Sequence, residues 1–419
     1  MSIHPRSQRC RASRPDWNSL RVTALPAALV GTLYGWAVLA STVFHPGWIG
    51  PNHIAPGTDW MVFYGSVTSA VQGSLSLIMN GDDFTAFLNR SFQDWLSAPI
   101  EFRPWFYPPS FLVLLLPFAP LGFAASYVAF QILTAAFLAT ALIKGASSPV
   151  LSRYVAAGVL ISPAAAINIV DGQCAFLVAA LLIAGVRLLP LQPILGGILL
   201  GLLSFKPQFC LLVPVALVAL RQYKALLAAA GSALALVVLS VIIFGLDVWL
   251  WWIPQAINNF IEPDAKWLSY GRIWGHSVWA CAVLAGIPPR LASVLQIAAI
   301  AGGMVVAYLA FRSTLSRDKQ LAVLLAATVL AAPHSGAYDA TLLAAAVGLW
   351  LAANIKTWRL LDWFLALGIW MVPILSPPTH VVAGRFSPLL IVALIGFILH
   401  ELRGTSQSST DSRPQLVIP

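Results

Sequence analysis

Long apolar runs recur along this chain from residue 22 to residue 402, and they limit the folds that it can adopt. A transmembrane helix needs about 20 predominantly apolar residues, because every backbone polar group must be satisfied internally within lipid. Of the 419 residues, 59% are hydrophobic and 9% are charged, whereas soluble domains carry roughly 25% charged residues. The sequence therefore predicts an all-α protein, a polytopic bundle of transmembrane helices.

The distribution of charge gives this bundle an orientation. When both termini are placed in the cytoplasm, 17 of the 24 Lys and Arg residues fall on the inner side, as the positive-inside rule expects. Ten of the 15 carboxylates fall on the outer side. The net charge of +9 therefore follows the topology and does not indicate a nucleic-acid partner. About 12 crossings are predicted, near 22–44, 122–143, 153–168, 174–189, 193–204, 208–220, 225–244, 290–312, 320–333, 338–353, 360–376 and 387–402.

The same topology divides the chain into three parts. Residues 1–21 form a basic cytoplasmic tail, residues 22–403 form a single transmembrane domain, and residues 404–419 form a second cytoplasmic tail. The apolar run at 22–44 is too long for the core of a signal peptide, so we expect an uncleaved first span.

The first long outer loop, 45–109, contains an amphipathic segment. Residues 82–97 place Phe and Leu side chains on one helical face and polar groups on the other. Asp82 or Asp83 can cap the start of this helix. We expect the helix to lie on the outer leaflet with its apolar face among the lipids.

The second long outer loop, 246–289, is rich in tryptophan. Clustered tryptophans are typical of the headgroup level of a bilayer, and they can also wall a cavity that is open to lipid. Two short apolar segments, 110–120 and 276–287, are associated with the outer loops. Both are too short to span, so we expect re-entrant or interfacial helices.

The spacing of the cysteines and the absence of several common sequence motifs indicate neither a metal site nor a cofactor. Cys10, Cys174, Cys210 and Cys281 show no CxxC spacing, and three of them lie in or beside apolar runs, where cysteine behaves as a small hydrophobe. The chain contains no phosphate-binding loop of the GxxxxGK[ST] type, no HExxH and no GxSxG. We expect neither a metal site nor a cofactor.

Several single residues at the outer side are candidates for function, and each also has an ordinary structural explanation. Asp59 can cap a helix that starts at Trp60, and Lys206 can be a snorkelling lysine at a helix end broken by Pro207. His334 and Asp339 lie between two predicted crossings, and Asp171 with Gln173 occupies a turn. Functional carboxylates and cations would, however, also collect on one side of the membrane, as Asp59, Asp171, Lys206, Arg272, His276 and His334 do in this topology.

Five segments in this order resemble glycosyltransferase family 87, whose members are integral-membrane enzymes of the GT-C fold. They are GTDWMVFYGSVTSAVQG (57–73), WFYPPSFLVLLLPFAPLG (105–122), DGQCAFLVAALLIAG (171–185), GLLSFKPQFCLLVPVALVALRQYKA (201–225) and APHSGAYDATLL (332–343). The resemblance spans about residues 20–400 and implies a GT-C-like bundle. It also implies an activity similar to that of polyprenyl-phosphate-mannose-dependent alpha-mannosyltransferases.

By this resemblance Asp59 is the catalytic base and His334 is a second active-site residue. The chemistry also needs donors or cations for the donor phosphate and the sugar. We expect Lys206, Arg272 and the histidines to supply these groups. The residues expected to bind the donor phosphate and the substrate are Lys206, Arg272, His276, Tyr64, Tyr107, Gln173 and Asp339.

The predicted reaction is the transfer of a hexose, with mannose preferred, from a polyprenyl phosphate to an extracytoplasmic lipid or glycan. Because one base acts in a single displacement, we expect inversion at the anomeric carbon. The predicted location is a bacterial inner membrane, with the active site facing the periplasm or the cell exterior. The main alternative is a transporter or flippase of lipid-linked sugars, although such proteins usually show internal repeats and charges near the bilayer midplane. A structural subunit of a larger envelope assembly is a third alternative.

Overall fold

The computed structural model of the protein describes residues 27–37, 40–41, 56–96, 98–261, 276–354, 359–375 and 385–408. Within these ranges the regular elements are helices, and no strand is found. The α-helices are α1 (Ala27–Ala37), α2 (Thr58–Val71), α3 (Gly81–Ser91), α4 (Ser110–Leu115), α5 (Phe123–Ile143), α6 (Pro149–Ile161), α7 (Pro163–Asp171), α8 (Ala175–Leu188), α9 (Pro193–Leu202), α10 (Val213–Ala219), α11 (Tyr223–Phe244), α12 (Asp247–Ile261), α13 (Val278–Leu284), α14 (Pro289–Arg312), α15 (Arg317–Ala331), α16 (Ala340–Ala353), α17 (Leu360–Leu375) and α18 (Ser387–Ser408). The predicted all-α membrane fold is confirmed, and it is consistent with a GT-C-like bundle.

A helix lies within or across each of the 12 predicted crossings, but few of these helices are long. In the described part of the chain, α5, α11 and α14 are long and apolar enough to cross a membrane. Helices α6 and α7 add a fourth span if they are taken as one helix that bends by 51°. Ser162 and Pro163 separate these two helices, and proline cannot continue the hydrogen-bond ladder of the preceding helix.

The predicted domain limits lie largely at the edges of what the structure describes. Residues 1–21 are outside the described ranges. Helix α18 continues to Ser408, beyond the predicted end of the transmembrane domain at residue 403.

Helices α9 and α10 form a hairpin whose first arm packs very closely on α11. A Cβ atom added to Gly197 would lie 2.2 Å from the carbonyl oxygen of Ala225, and one added to Gly201 would lie 2.2 Å from that of Ala229. This is a small-xxx-small contact, in which the missing side chains let two backbones approach. The contact fixes the position of α9 along α11, and with it the position of the turn that follows α9.

That turn consists of two short 3₁₀ segments, Leu203–Phe205 and Pro207–Phe209, on either side of Lys206. Pro207 has no N–H to continue a helix, so the chain reverses here. The hairpin thereby places Lys206 at its apex.

Helix α3 corrects two expectations about the first outer loop. Its N-cap is Asn80, whose side chain accepts from the backbone N–H groups of Asp82 and Asp83, so neither aspartate is the cap. Its apolar face is buried in the protein and not among lipids, because Phe84 and Leu88 are both 0% exposed. These side chains pack against α2 at Gly65, where a larger residue would clash with Leu88.

The segment that follows α3 is held by α12. Trp252 of α12 donates its indole N–H to the carbonyl of Phe106, at 3.0 Å. Trp249 donates to Ser240 of α11 at 2.9 Å. These two tryptophans therefore bond within the protein, while Trp267 and Trp274 lie outside the described residues. The short apolar segments predicted at 110–120 and 276–287 contain α4 and α13, which have 6 and 7 residues.

Arg187, near the C-terminal end of α8, connects this helix to α5 and α15. Its guanidinium donates to carbonyl groups at the end of α5, including that of Ala141 at 2.8 Å. It also forms a 2.7 Å ion pair with Asp318 at the start of α15. The last carbonyls of a helix lack partners within the helix, so this arginine satisfies them and joins three helices.

Candidate active site

Asp59 lies in the first turn of α2, and it does not cap that helix. The N-cap is Gly57, which has a φ of 71° and makes no side-chain capping bond. The N–H of Gly57 donates to the carbonyl of Val170 at 2.6 Å, which holds the start of α2 against the end of α7. The capping explanation for Asp59 is therefore wrong, because its carboxylate oxygens have side-chain partners.

Those partners are an amide and a guanidinium. Oδ2 of Asp59 accepts from Nε2 of Gln173 at 2.7 Å, and Oδ1 lies 3.9 Å from Nε of Arg103. The Asp59 side chain is 19% exposed, so a reacting group can still reach it. Burial raises the pKa of Asp59 above its ordinary value, and the charge of Arg103 and the bond from Gln173 oppose this rise.

Gln173 links Asp59 to Tyr107. The Tyr107 hydroxyl donates to Oε1 of Gln173 at 3.0 Å. Burial raises the pKa of Tyr107 well above its ordinary value, so the phenol stays neutral and keeps its proton for this bond. Three predicted site residues (Asp59, Tyr107 and Gln173) are thus brought into one hydrogen-bonded group.

Gly172 explains how the Asp-Gly-Gln turn reaches α2. Its φ is 74°, and a Cβ atom on it would lie 2.6 Å from Cβ of Trp60. Only glycine fits this left-handed position against another backbone. The turn carries Asp171 to a place where its charge interacts with the charges of Asp59 and Arg103.

Lys206 and Asp339 form a buried ion pair beside this group. Nζ of Lys206 lies 2.7 Å from Oδ1 of Asp339, and the two side chains are 3% and 1% exposed. The second carboxylate oxygen accepts from the N–H of Gly336 at 2.9 Å. The ammonium also lies over the rings of Phe209 and Tyr338, 4.7 and 5.1 Å from their centroids, where a cation–π attraction favours it. Lys206 is close enough for its charge to act on Asp59.

The two predicted site histidines lie on segments that are joined by a main-chain hydrogen bond. The N–H of His276 donates to the carbonyl of Ser335 at 3.0 Å, which places it beside the loop that carries His334. His276 is buried, and burial lowers its pKa to about 4, so its imidazole is neutral near pH 7. His334 is exposed. At neutral pH, His276 can therefore act as a hydrogen-bonding group but not as a cation.

Tyr64 is a predicted site residue whose hydroxyl bonds away from Asp59. The Tyr64 hydroxyl donates to the carbonyl of Leu121 at 2.7 Å, and its ring packs on Phe92 and Phe123. Arg272 lies outside the described residues.

Sequence reasoning missed Arg103, which lies beside Asp59, and two amides whose hydrogen bonds lead to the main chain of Gln173. Arg103 lies in the loop before Tyr107, within a segment that stood out by its aromatic and proline content. Gln131 and Asn168 are amides inside the apolar helices α5 and α7. A lone amide in an apolar helix is a signal, since a polar group in lipid needs a partner.

Chemically, this arrangement offers a carboxylate, an amide and two cations within one neighbourhood. In the described ranges no group of three or more His, Cys, Asp or Glu side chains is placed to hold a metal ion. The carboxylate can accept a proton, and the cations can stabilise negative charge that develops nearby.

The fold and this polar group define a helical integral-membrane protein with a charged site where α7 ends and α8 begins. The sequence profile of glycosyltransferase family 87 matches residues 105–333, which is more than half of the chain. The chain belongs to glycosyltransferase family 87, and it is therefore a membrane glycosyltransferase. The match favours an enzyme over a transporter or a structural subunit. Neither a curated protein nor a solved structure matches the chain.

The matched region includes Tyr107, Gln173 and Lys206, but it begins after Asp59 and ends before His334. The two residues expected to be catalytic thus lie outside it. The match therefore shows the family and does not bear on the roles of Asp59 and His334.

Proposed function

We propose that the protein transfers a hexose, preferably mannose, from a polyprenyl phosphate to an extracytoplasmic lipid or glycan, with Asp59 as the general base. The observation that carries this proposal is the setting of the Asp59 carboxylate. It is not used as a helix cap, it keeps 19% of its side chain exposed, and it lies beside Arg103 and within the field of Lys206. A carboxylate held in this way is a base in reach of a substrate.

The reaction needs one proton acceptor. The acceptor alcohol loses its proton to Asp59 as its oxygen forms a bond with the anomeric carbon. The bond between that carbon and the phosphate oxygen breaks, and the electron pair leaves with the polyprenyl phosphate. Because one displacement occurs at the anomeric carbon, a beta-linked donor gives an alpha-linked product.

The leaving phosphate gains negative charge, so it requires cations or hydrogen-bond donors. Arg103 is the cation nearest to Asp59 in the described residues. Lys206 supplies positive charge from within its ion pair with Asp339, and neutral His276 can supply only a hydrogen bond. We assign the donor phosphate to this group, together with His334 and Arg272.

A lipid-linked sugar is already activated, so this chemistry uses no nucleotide and no cofactor. The expected partners are the polyprenyl-phosphate sugar, the acceptor and the surrounding lipids. We place the enzyme in a bacterial inner membrane with Asp59 facing the periplasm or the cell exterior. The positive-inside distribution of Lys and Arg supports this orientation.

The test is sugar transfer by purified Asp59→Asn protein from synthetic polyprenyl-phosphate-mannose, with the glucose and arabinose analogues run in parallel. We expect Asp59→Asn to lose activity by about 10²–10⁴-fold, which is the usual contribution of a general base. Asp83→Asn is the matched control, since Asp83 is an exposed carboxylate of the same loop. Transfer at the wild-type rate by folded Asp59→Asn would reject the base assignment. A preference for glucose or arabinose would reject mannose as the transferred sugar and leave the base assignment intact.

A further inference from the structure

A chain of buried amides runs from the first turn of α8 to the loop that carries Gln173. The N–H of Ala175 donates to Oδ1 of Asn168 at 2.9 Å, and Nδ2 of Asn168 donates to Oε1 of Gln131 at 2.9 Å. Nε2 of Gln131 then donates to the main-chain carbonyl of Gln173 at 3.0 Å. The chain joins α5, α7 and the start of α8.

The direction of every bond in this chain is fixed by the backbone at its ends. A peptide N–H can only donate, so the Asn168 atom that faces Ala175 must be the oxygen. A peptide carbonyl can only accept, so the Gln131 atom that faces Gln173 must be the amide nitrogen. Neither amide can turn over without facing donor to donor or acceptor to acceptor.

The side chain of Gln173 is oriented by the same logic. Its Oε1 accepts from the N–H of Cys174 at 3.3 Å and from the hydroxyl of Tyr107 at 3.0 Å. Its Nε2 is therefore the atom that faces Oδ2 of Asp59, at 2.7 Å. Two consecutive peptide N–H groups at the start of α8, those of Cys174 and Ala175, thus fix which side-chain atom of Gln173 and of Asn168 accepts and which donates.

Burial makes this orientation hard to disturb. Asn168 is 0% exposed, Gln173 is 4% exposed and Gln131 is 7% exposed, so water competes poorly for these bonds. A buried amide that loses its partner bears its full desolvation cost, which is why such groups are found paired.

We propose that Gln131 and Asn168 are positioning residues for the reaction, because they hold Gln173 so that its amide N–H stays on Oδ2 of Asp59. This bond holds the carboxylate in one orientation and uses one lone pair of Oδ2, so Oδ1 is the oxygen that we assign to receive the proton of the acceptor alcohol. This inference rests on the proposed role of Asp59 as the base, and it makes Gln173 a group that orients the base.

A fixed carboxylate matters because the base must meet the alcohol in one geometry, and a misplacement of about 1 Å can cost on the order of 10²-fold in rate. Without the amide on Oδ2, the carboxylate of Asp59 can rotate toward Arg103 and close that ion pair. Gln131 bonds to Asn168 and to the main-chain carbonyl of Gln173, and not to Asp59, so its effect on Asp59 must pass through Gln173.

The experiment compares Gln131→Met with Gln320→Met in full-length purified protein. Gln320 is a matched control at the start of α15. It is also buried, its amide donates to the carbonyl of Ala310 at 3.2 Å, and its Oε1 accepts from Arg317 at 2.9 Å. Like Gln131, it donates to a main-chain carbonyl and accepts from a side chain, but it lies far along the chain from Asp59.

The first readout needs no substrate. The protonation of Asp59 is followed with pH by infrared difference spectroscopy, using Asp59→Asn to identify its carboxyl band. Gln131→Met should raise the titration midpoint of Asp59, because the bond from Gln173 favours the charged form. Gln320→Met should leave the midpoint unchanged. The other charges that face Asp59, those of Arg103, Asp171 and Lys206, are the same in both variants.

The second readout is transfer from synthetic polyprenyl-phosphate-mannose. Gln131→Met should lower kcat by about 10-fold with little change in KM, because orientation is lost while binding is kept. A wild-type midpoint together with a wild-type kcat in Gln131→Met would overturn the positioning role. If Gln131→Met does not fold, Gln131→Asn gives the same test, since its shorter side chain cannot reach both partners. A shifted midpoint with full activity in Asp59→Asn would instead reject the proposed base and leave the orienting bonds established.

Discussion

The carboxylate of Asp59 lies between two opposing influences. Burial disfavours its charge and raises its pKa, while Arg103, Gln173 and Lys206 favour the charge and lower the pKa. Burial is the larger effect, so the pKa stays above the ordinary value of 3.8. A base with a raised pKa holds a proton more strongly, which suits the removal of a proton from an alcohol.

This balance predicts the acid limb of the pH–rate profile. Only ionised Asp59 can accept a proton, so kcat/KM should fall as the pH drops through its raised pKa. Arg103→Met removes the charge that does most to lower this pKa, so the acid limb should move to higher pH. The measurement is kcat/KM against pH for sugar transfer.

The control for that shift is Arg90→Met, which removes an exposed arginine of α3. Its acid limb should coincide with that of the wild type. An unchanged acid limb in Arg103→Met would show that Arg103 does not act on the carboxylate that controls the rate.

At the scale of helices, the position of the α9–α10 hairpin depends on the close contact of α9 with α11. Gly201 in α9 lies against the backbone of Ala229, whereas a Cβ atom added to Gly231 in α11 would meet open space. Both are inside helices, where alanine is otherwise favoured over glycine by roughly 0.5–1 kcal/mol.

The same substitution should therefore have opposite effects at these two sites. Gly201→Ala puts a methyl group 2.2 Å from a backbone oxygen that cannot easily move, and we expect it to destabilise the protein by about 1–3 kcal/mol. Gly231→Ala should leave the stability unchanged or increase it by up to about 1 kcal/mol. Unfolding by heat or denaturant in detergent measures both. Equal stability of the two variants would contradict the close contact of α9 with α11.

The helices themselves could largely be predicted from the sequence, because the length of each apolar run and the positions of prolines decide where they lie. The surfaces against which each helix packs could not be predicted. The apolar face of α3 looked the same whether Phe84 and Leu88 met lipid or protein, since both are apolar surroundings. The cap was missed because Asn80 precedes the charged pair at Asp82 and Asp83, and either kind of residue caps a helix well.

At the scale of the whole molecule, the ion pair of Lys206 and Asp339 joins the α9–α10 hairpin to the loop before α16. Removing one partner leaves the other charge buried and unpaired and should destabilise the protein by about 3–5 kcal/mol, whereas replacing both by apolar residues can be nearly neutral. We expect Lys206→Met and Asp339→Leu each to lower the melting temperature, and the double variant to recover it.

Activity separates the two roles of this pair. If the charge of Lys206 acts on the donor phosphate, the double variant should remain poorly active although it is stable. A stable and fully active double variant would show that Lys206 only holds the two segments together, and would remove it from the site.

The site was predictable to the extent that single residues were chemically unusual. Asp59, Lys206 and His334 stand out as ionisable groups near apolar runs. Arg103 and Gln131 could not be assigned, because their roles depend on which distant segment each one meets. The bond from Gln173 to Asp59 joins positions 114 residues apart, and the ion pair of Lys206 joins positions 133 residues apart. No local pattern contains such distances.

These distances have a consequence for biogenesis. The ribosome delivers Asp59 to the membrane long before Gln173, and Lys206 long before Asp339. Until Gln173 is inserted, Asp59 lacks the amide that bonds to it, and until Asp339 is inserted, Lys206 lacks its carboxylate partner. The hydrogen bond to Asp59 and the ion pair are therefore complete only when the final third of the chain has been inserted. Under the proposed function, an incomplete translation product would transfer no sugar.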